Sequence, residues 1–275
     1  MKLERREFLR LSSAAAALAA GGFLPLLAAE KKERRPRPAA APRSRNIFTE
    51  PPAIEPLTGY LPRFEPVERS SMKGGFVATY ALVQCLASGP RSHNRVSGSL
   101  TVSFRDRTCT WRETRMNRPA GVVEVTLRCA GDLNVARTWR LKSVVQGTPD
   151  LAFAEVGTCD GQTMVVKAMS WKQTRRVAKP LIGRWALLPL LAAGKIKGES
   201  LEFDMLDGST LRPDQRLCYA GRISVSVADG KVELDCYVQA GWGILPTHYL
   251  VDEGGRVQLI TQENVNWALT RLGVL

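Results

Sequence analysis

From Leu100 to Leu141 apolar and polar residues alternate with a period of two, interrupted by short turn signals, the pattern of antiparallel strands with one buried face. Leu100, Val102 and Phe104 alternate with polar neighbours; beyond Asp106-Arg107, Cys109 and Trp111 do the same. With Asp106-Arg107 as a two-residue turn, Phe104 lies opposite Cys109 and Val102 opposite Trp111. Both strands then turn their apolar side chains to one side, so the register is self-consistent.

The next turn signal is Asn117-Arg118-Pro119-Ala120-Gly121, followed by alternating Val123, Val125, Leu127 and Cys129. A three-residue loop centred on Pro119 sets Trp111 against Leu127 and Cys109 against Cys129. Beyond Gly131-Asp132, Val135, Trp139 and Leu141 continue the pattern, which predicts sequential antiparallel strands. Near the C-terminus Asp229-Gly230 is a favoured type I′ turn pair. Pairing outward from it sets Val227 on Val232, Val225 on Leu234 and Ile223 on Cys236. A last hairpin joins Thr247–Val251 to Val257–Thr261 through Asp252-Glu253-Gly254-Gly255 and Arg256.

One segment breaks the alternation. Pro180 to Ala193, PLIGRWALLPLLAA, is apolar without alternation and flanked by basic residues. It reads as a short helix or two interrupted by Pro189. Trp185, Leu187, Leu188 and Leu191 could plug the open face of a curved sheet or serve as plain core.

The first 29 residues have a basic head, an apolar middle rich in Ala and Gly, and small residues at the end, the pattern of a cleavable secretory signal. Arg5-Arg6-Glu7-Phe8-Leu9-Arg10 resembles the twin-arginine export motif, carried by Arg5, Arg6, Phe8 and Leu9. The resemblance implies passage through the twin-arginine translocase and a periplasmic location. Cleavage after Ala28 or Ala29 is favoured over an uncleaved spanning helix by Gly21, Gly22 and Pro25. Residues 30–56 are rich in Lys, Arg, Pro and Ala and read as a linker, with a basic arm for anionic envelope polymers as its functional alternative. Residues 57–275 form a single β-rich domain.

The chain's 275 residues carry a formal charge of +13. Part of that charge sits in the signal and linker, and along the sequence the remaining Lys and Arg are scattered over the strands. No zinc-finger, RNP-type or helix-turn-helix pattern is present, so nucleic acid is not an expected partner.

Six cysteines in an exported chain form a potential disulfide framework. The expected register makes Cys109 and Cys129 the leading pair; Cys218 and Cys236 fall on opposite faces unless a bulge near Gly221 intervenes. With no CxxC spacing and only His93 and His248, neither metal nor cofactor is expected. No GxSxG, HExxH, Walker or Rossmann fingerprint occurs. His248 with Asp204, Asp207 or Asp252 is the one general-base arrangement to consider, and Glu202 with Asp204 the one carboxylate pair, so catalytic residues are not assigned.

The ending THYLVDEGGRVQLITQENVNWALTRL, preceded by a helical insert and GESLEFDMLDGSTLRPDQ, is similar to the LolA-like and LolB-like periplasmic half-barrels. His248-Tyr249 stands where that pattern has two aromatics. The resemblance implies a mainly β fold: a curved antiparallel meander, a half-barrel, with one short helical insert. It also implies a concave apolar face for a lipid-like ligand. Trp111, Leu127, Trp139, Trp185 and Leu188 are the candidate lining residues. The expected function is therefore non-enzymatic binding or carriage of an apolar ligand in the periplasm. The alternatives are an envelope structural or interaction protein using its basic arm and, third, a hydrolase using His248.

Overall fold

The computed structural model describes residues 75–85, 94–116, 120–196, 200–227, 230–262 and 265–275. The export motif, the cleavage site and the linker lie outside the described residues. Among the described residues no helix is long and apolar enough to cross a membrane.

The chain is mainly β with one short helix. Five strands come first: β1 (Phe76–Cys85), β2 (Asn94–Arg105), β3 (Thr108–Arg115), β4 (Gly121–Ala130) and β5 (Val135–Val145). Three shorter ones follow, β6 (Phe153–Cys159), β7 (Thr163–Ala168) and β8 (Lys172–Arg176). The apolar insert forms a three-residue strand β9 (Leu181–Gly183), a 3-10 turn (Arg184–Ala186) and helix α1 (Leu187–Ala192). The remainder is β10 (Ser200–Asp207), β11 (Thr210–Val227), β12 (Gly230–Ala240), β13 (Thr247–Val251), β14 (Val257–Gln262) and β15 (Val265–Val274).

The expected half-barrel is corrected to a closed barrel. Strands β1–β5 and β9–β15 form a ring of 12 strands, because β1 pairs with β15 and β4 with β5, while β9 joins β10 in parallel and touches β5 through the pair Val135–Ile182. Closure removes the open edges that a curved meander would leave. The closing strand could not be read from alternation, since Leu181, Ile182 and Gly183 are all buried. Strands β6, β7 and β8 continue from β5 outside the ring as a wing, whose inner face packs Cys159, Met164 and Val166 into the main core.

The β2–β3 hairpin has the expected register, with Phe104 on Cys109 and Val102 on Trp111, and both turn residues have positive φ, 47° at Asp106 and 59° at Arg107. Two other hairpins are shifted by two residues. Trp111 pairs with Val125 and Cys109 with Leu127, because Met116 and Ala120 bond outward, to Ser97 and Gln146, and lengthen the loop. Val225 pairs with Val232 and Ile223 with Leu234, because Gly230 opens β12 instead of sitting in the turn. A shift of two keeps every side chain on its face: Cys109, Trp111, Val125 and Leu127 still face the main core, whereas Val225, Leu234 and Cys236 form a second buried cluster with Val238 on the other face of the sheet.

The expected Cys109–Cys129 bridge is also corrected. The shift leaves the two residues on a diagonal, a spacing of roughly 7–8 Å that a disulfide does not span. Cys109, Cys129, Cys159, Cys218 and Cys236 all carry free thiols. A bulge between Tyr219 and Gly221 does place Cys218 and Cys236 on one face.

The insert enters the barrel as a plug. Trp185, Leu187, Leu188, Leu190 and Leu191 are all buried in the main core. Pro189 does not interrupt α1, since it sits in the first turn, where no intrahelical N–H bond is required. Buried Asp204 fixes the approach to the plug: its carboxylate accepts the Ala178 and Lys179 amides at 2.9 and 3.2 Å and the Asp214 amide at 3.0 Å.

Candidate functional site

The five expected lining residues converge inside the barrel, and the interior is filled. Trp111, Leu127, Trp139, Trp185 and Leu188 belong to one buried cluster, with the Trp139 indole donating to Ser209 Oγ at 3.2 Å. Leu127 closes directly on Gly183 and the Trp139 ring on Gly157, with no room for a Cβ at either glycine. Beside α1, a cavity among Tyr80, Leu188, Ala192 and Arg256 has about 10 Å³, room for one water. These side chains act as core, not as the wall of an open ligand chamber.

Polar chemistry gathers at the end of the barrel where the plug enters. Arg184 follows directly from β9, and its guanidinium lies 4.8 Å from the Trp185 ring centroid and 5.0 Å from that of Trp267. The two rings meet edge to face at 5.2 Å. Arg184 also donates to Gln262 Oε1 at 3.1 Å and approaches Asp207 at 3.5 Å. Asp207, at the end of β10, is shared with Arg212 of β11 at 3.6 Å. Two guanidinium groups thus face one carboxylate. The buried Arg212 Nε and the indole N–H of Trp267 have no hydrogen-bond partner among the described residues.

Below this cluster a buried amide chain holds the mouth in shape. Tyr249 Oη donates to Gln239 Oε1 at 2.7 Å, and Gln239 Nε2 donates to Gln215 Oε1 at 3.2 Å. Gln215 Nε2 in turn donates to the carbonyls of Pro213 and Trp242 at 2.8 and 3.0 Å. Burial pushes the Tyr249 hydroxyl well above its ordinary range, so it stays a donor. The loop between β12 and β13 is therefore tied down at Trp242 by Gln215 and at Leu245 by Gln262, 3.3 Å from its carbonyl. It presents a Trp242 side chain that is 73% exposed, beside an exposed Leu245. Gly243 admits the Arg212 side chain, which a Cβ there would meet at 3.2 Å.

The arrangement supplies fixed cations, spare N–H donors and exposed apolar surface. Such a site suits an acidic head on an apolar body. Among the described residues it contains no nucleophile paired with a base.

The carboxylates considered for acid–base work are engaged elsewhere. Asp204 binds backbone amides, Asp207 faces the two arginines, and buried Asp252 holds Arg256 at 2.6 Å and Gln258 at 2.8 Å. Glu202 pairs with Lys179 at 3.1 Å on the surface, apart from the buried Asp204. His248 pairs with Val238 and Thr261 on the barrel's outer side, its neighbour Tyr249 pointing in. Among the described residues no cluster of His, Cys, Asp and Glu could hold a metal ion.

Arg184, Asp207, Arg212, Trp242 and Gln262 were not legible as a site. They come from five separate segments, and the one available signal was a lone arginine inside an otherwise apolar insert.

No family model matches the chain, and no curated protein matches it. Among solved structures it is similar to a β-barrel-like protein of a domain of unknown function, DUF1849, from Brucella abortus. Identity is 12%, the alignment covers 74% of this chain and 98% of that chain, and the TM-score is 0.49.

Proposed function

We propose that the protein is exported to the periplasm by the twin-arginine route and acts there without catalysis, binding a lipid-like amphiphile at the mouth of its plugged barrel. The observation that carries this reading is the excess of guanidinium over carboxylate at Arg184, Asp207 and Arg212, beside exposed Trp242 and Leu245. An acidic head would lie against the arginines and its chain along the apolar loop. With the interior filled, the amphiphile would meet the rim and not the concave sheet that the half-barrel resemblance implies.

The test is titration of delipidated protein with a fluorescent fatty-acid analogue in vesicle-free solution. Saturable binding that weakens about tenfold in Arg184→Gln, the worth of one charge-assisted hydrogen bond, is the expected result. A protein that takes up no analogue and copurifies with no lipid by mass spectrometry would sink the reading.

A further inference from the structure

Cross-strand register collects basic residues that are scattered along the chain. On the outward face of β3–β8, Thr110, Thr126, Arg140, Val156, Lys167 and Lys172 form one continuous row across six strands. A neighbouring row runs Arg112, Glu124, Lys142, Ala154, and a third brings in Arg128. All these Arg and Lys side chains are exposed, and Glu124, the acid within these rows, is already engaged with Arg112 at 3.4 Å. Arg140, Lys142, Lys167 and Lys172 have no ion pair among the described residues. Blunting of a sheet edge accounts for Lys172 on β8, but not for Arg140 and Lys142, which lie on a strand paired on both sides.

The same strands end in an apolar rim. The registers Arg115–Gly121–Val145, Ser143–Phe153 and Glu155–Ala168 bring the β3–β4, β5–β6 and β7–β8 connections to one end. Met116, Val144, Leu151, Phe153 and Met169 are all exposed there, Phe153 at 43%. Lys142, Lys167 and Lys172 lie close behind them in register.

We propose that this end of β3–β8 docks on an anionic lipid bilayer, Phe153, Leu151 and Met169 entering the interface while Lys142, Lys167 and Lys172 meet lipid phosphates. Apolar tips with cations close behind fit the layered chemistry of a bilayer surface. A nucleic acid or a soluble polyanion would use the cations and leave the apolar rim in water. The proposal does not depend on the Arg184 mouth, which is tested without vesicles.

The test is flotation of the full chain with phosphatidylcholine vesicles, with and without phosphatidylglycerol. Each lysine near an anionic leaflet is worth roughly fivefold in affinity, so Lys142→Gln, Lys167→Gln and Lys172→Gln together should weaken binding by roughly a hundredfold. Neutralising Lys31, Lys32, Arg34 and Arg35 in the N-terminal arm should cost far less. Phe153→Trp, at a position 43% exposed, should shift its emission to the blue on anionic vesicles and be quenched by brominated acyl chains. Unchanged vesicle binding in the triple variant, unchanged Phe153→Trp emission, or tighter binding to duplex DNA or heparin than to anionic vesicles would each overturn it.

Discussion

The backbone of Gly157 on β6 lies directly against the indole of Trp139 on β5, so that a Cβ at position 157 would overlap its Cε2–Cζ2 edge. This contact seats the wing on the core. Replacing a strand glycine by alanine ordinarily stabilises by about 0.4–1 kcal/mol through the unfolded chain. Here overpacking dominates, and Gly157→Ala should destabilise by about 1–3 kcal/mol, lowering the melting temperature in calorimetry. In a Trp139→Leu background the penalty should shrink, which a double-mutant cycle would read.

Asp252 and Arg256 form a buried pair, with the Arg256 amide and Gln258 completing the carboxylate's hydrogen bonds. Removing one partner leaves an uncompensated buried charge. Arg256→Ala should therefore cost about 3–5 kcal/mol in urea unfolding, and Asp252→Asn in the same chain should restore part of it.

Burial pushes the Cys129 and Cys236 thiols up to about 12 from an ordinary 9.0. The folded state holds those protons more tightly than the unfolded chain, so their contribution is complete below pH 9 and is lost as the pH rises from 9 towards 12. Stability measured across that window should fall less steeply in Cys129→Ala than in the parent. Alkylation of native protein at pH 8 should be slow at both positions and fast after denaturation.

Arg184 is held between Trp185 and Trp267 and bonded to Gln262. Arg184→Met keeps the packing and removes the cation, and should cost about 1–2 kcal/mol in unfolding free energy. Asp207→Asn leaves two cations without their carboxylate. It should tighten binding of the fatty-acid analogue where Arg184→Gln weakens it, and equal effects of the two changes would count against the mouth as an anion site.

Local sequence was enough to specify the alternating strands, the apolar face of each and the β2–β3 turn, because alternation and the Asp106-Arg107 pair act over a few residues; which of those faces points into the barrel was decided by the tertiary fold. It also marked 180–193 as a break in the alternation. Tertiary structure decided how far the longer loops slide each register, since outward bonds such as Met116 to Ser97 involve a neighbouring strand. Ring closure through β9 was invisible for the same reason: a three-residue strand buried on both sides has no period to read. The functional surfaces lay furthest out of reach. The Arg184 mouth is assembled from five segments and the Arg140–Lys167–Lys172 row from three strands, and side chains distant in sequence become neighbours only when hydrogen-bonded strands set them side by side.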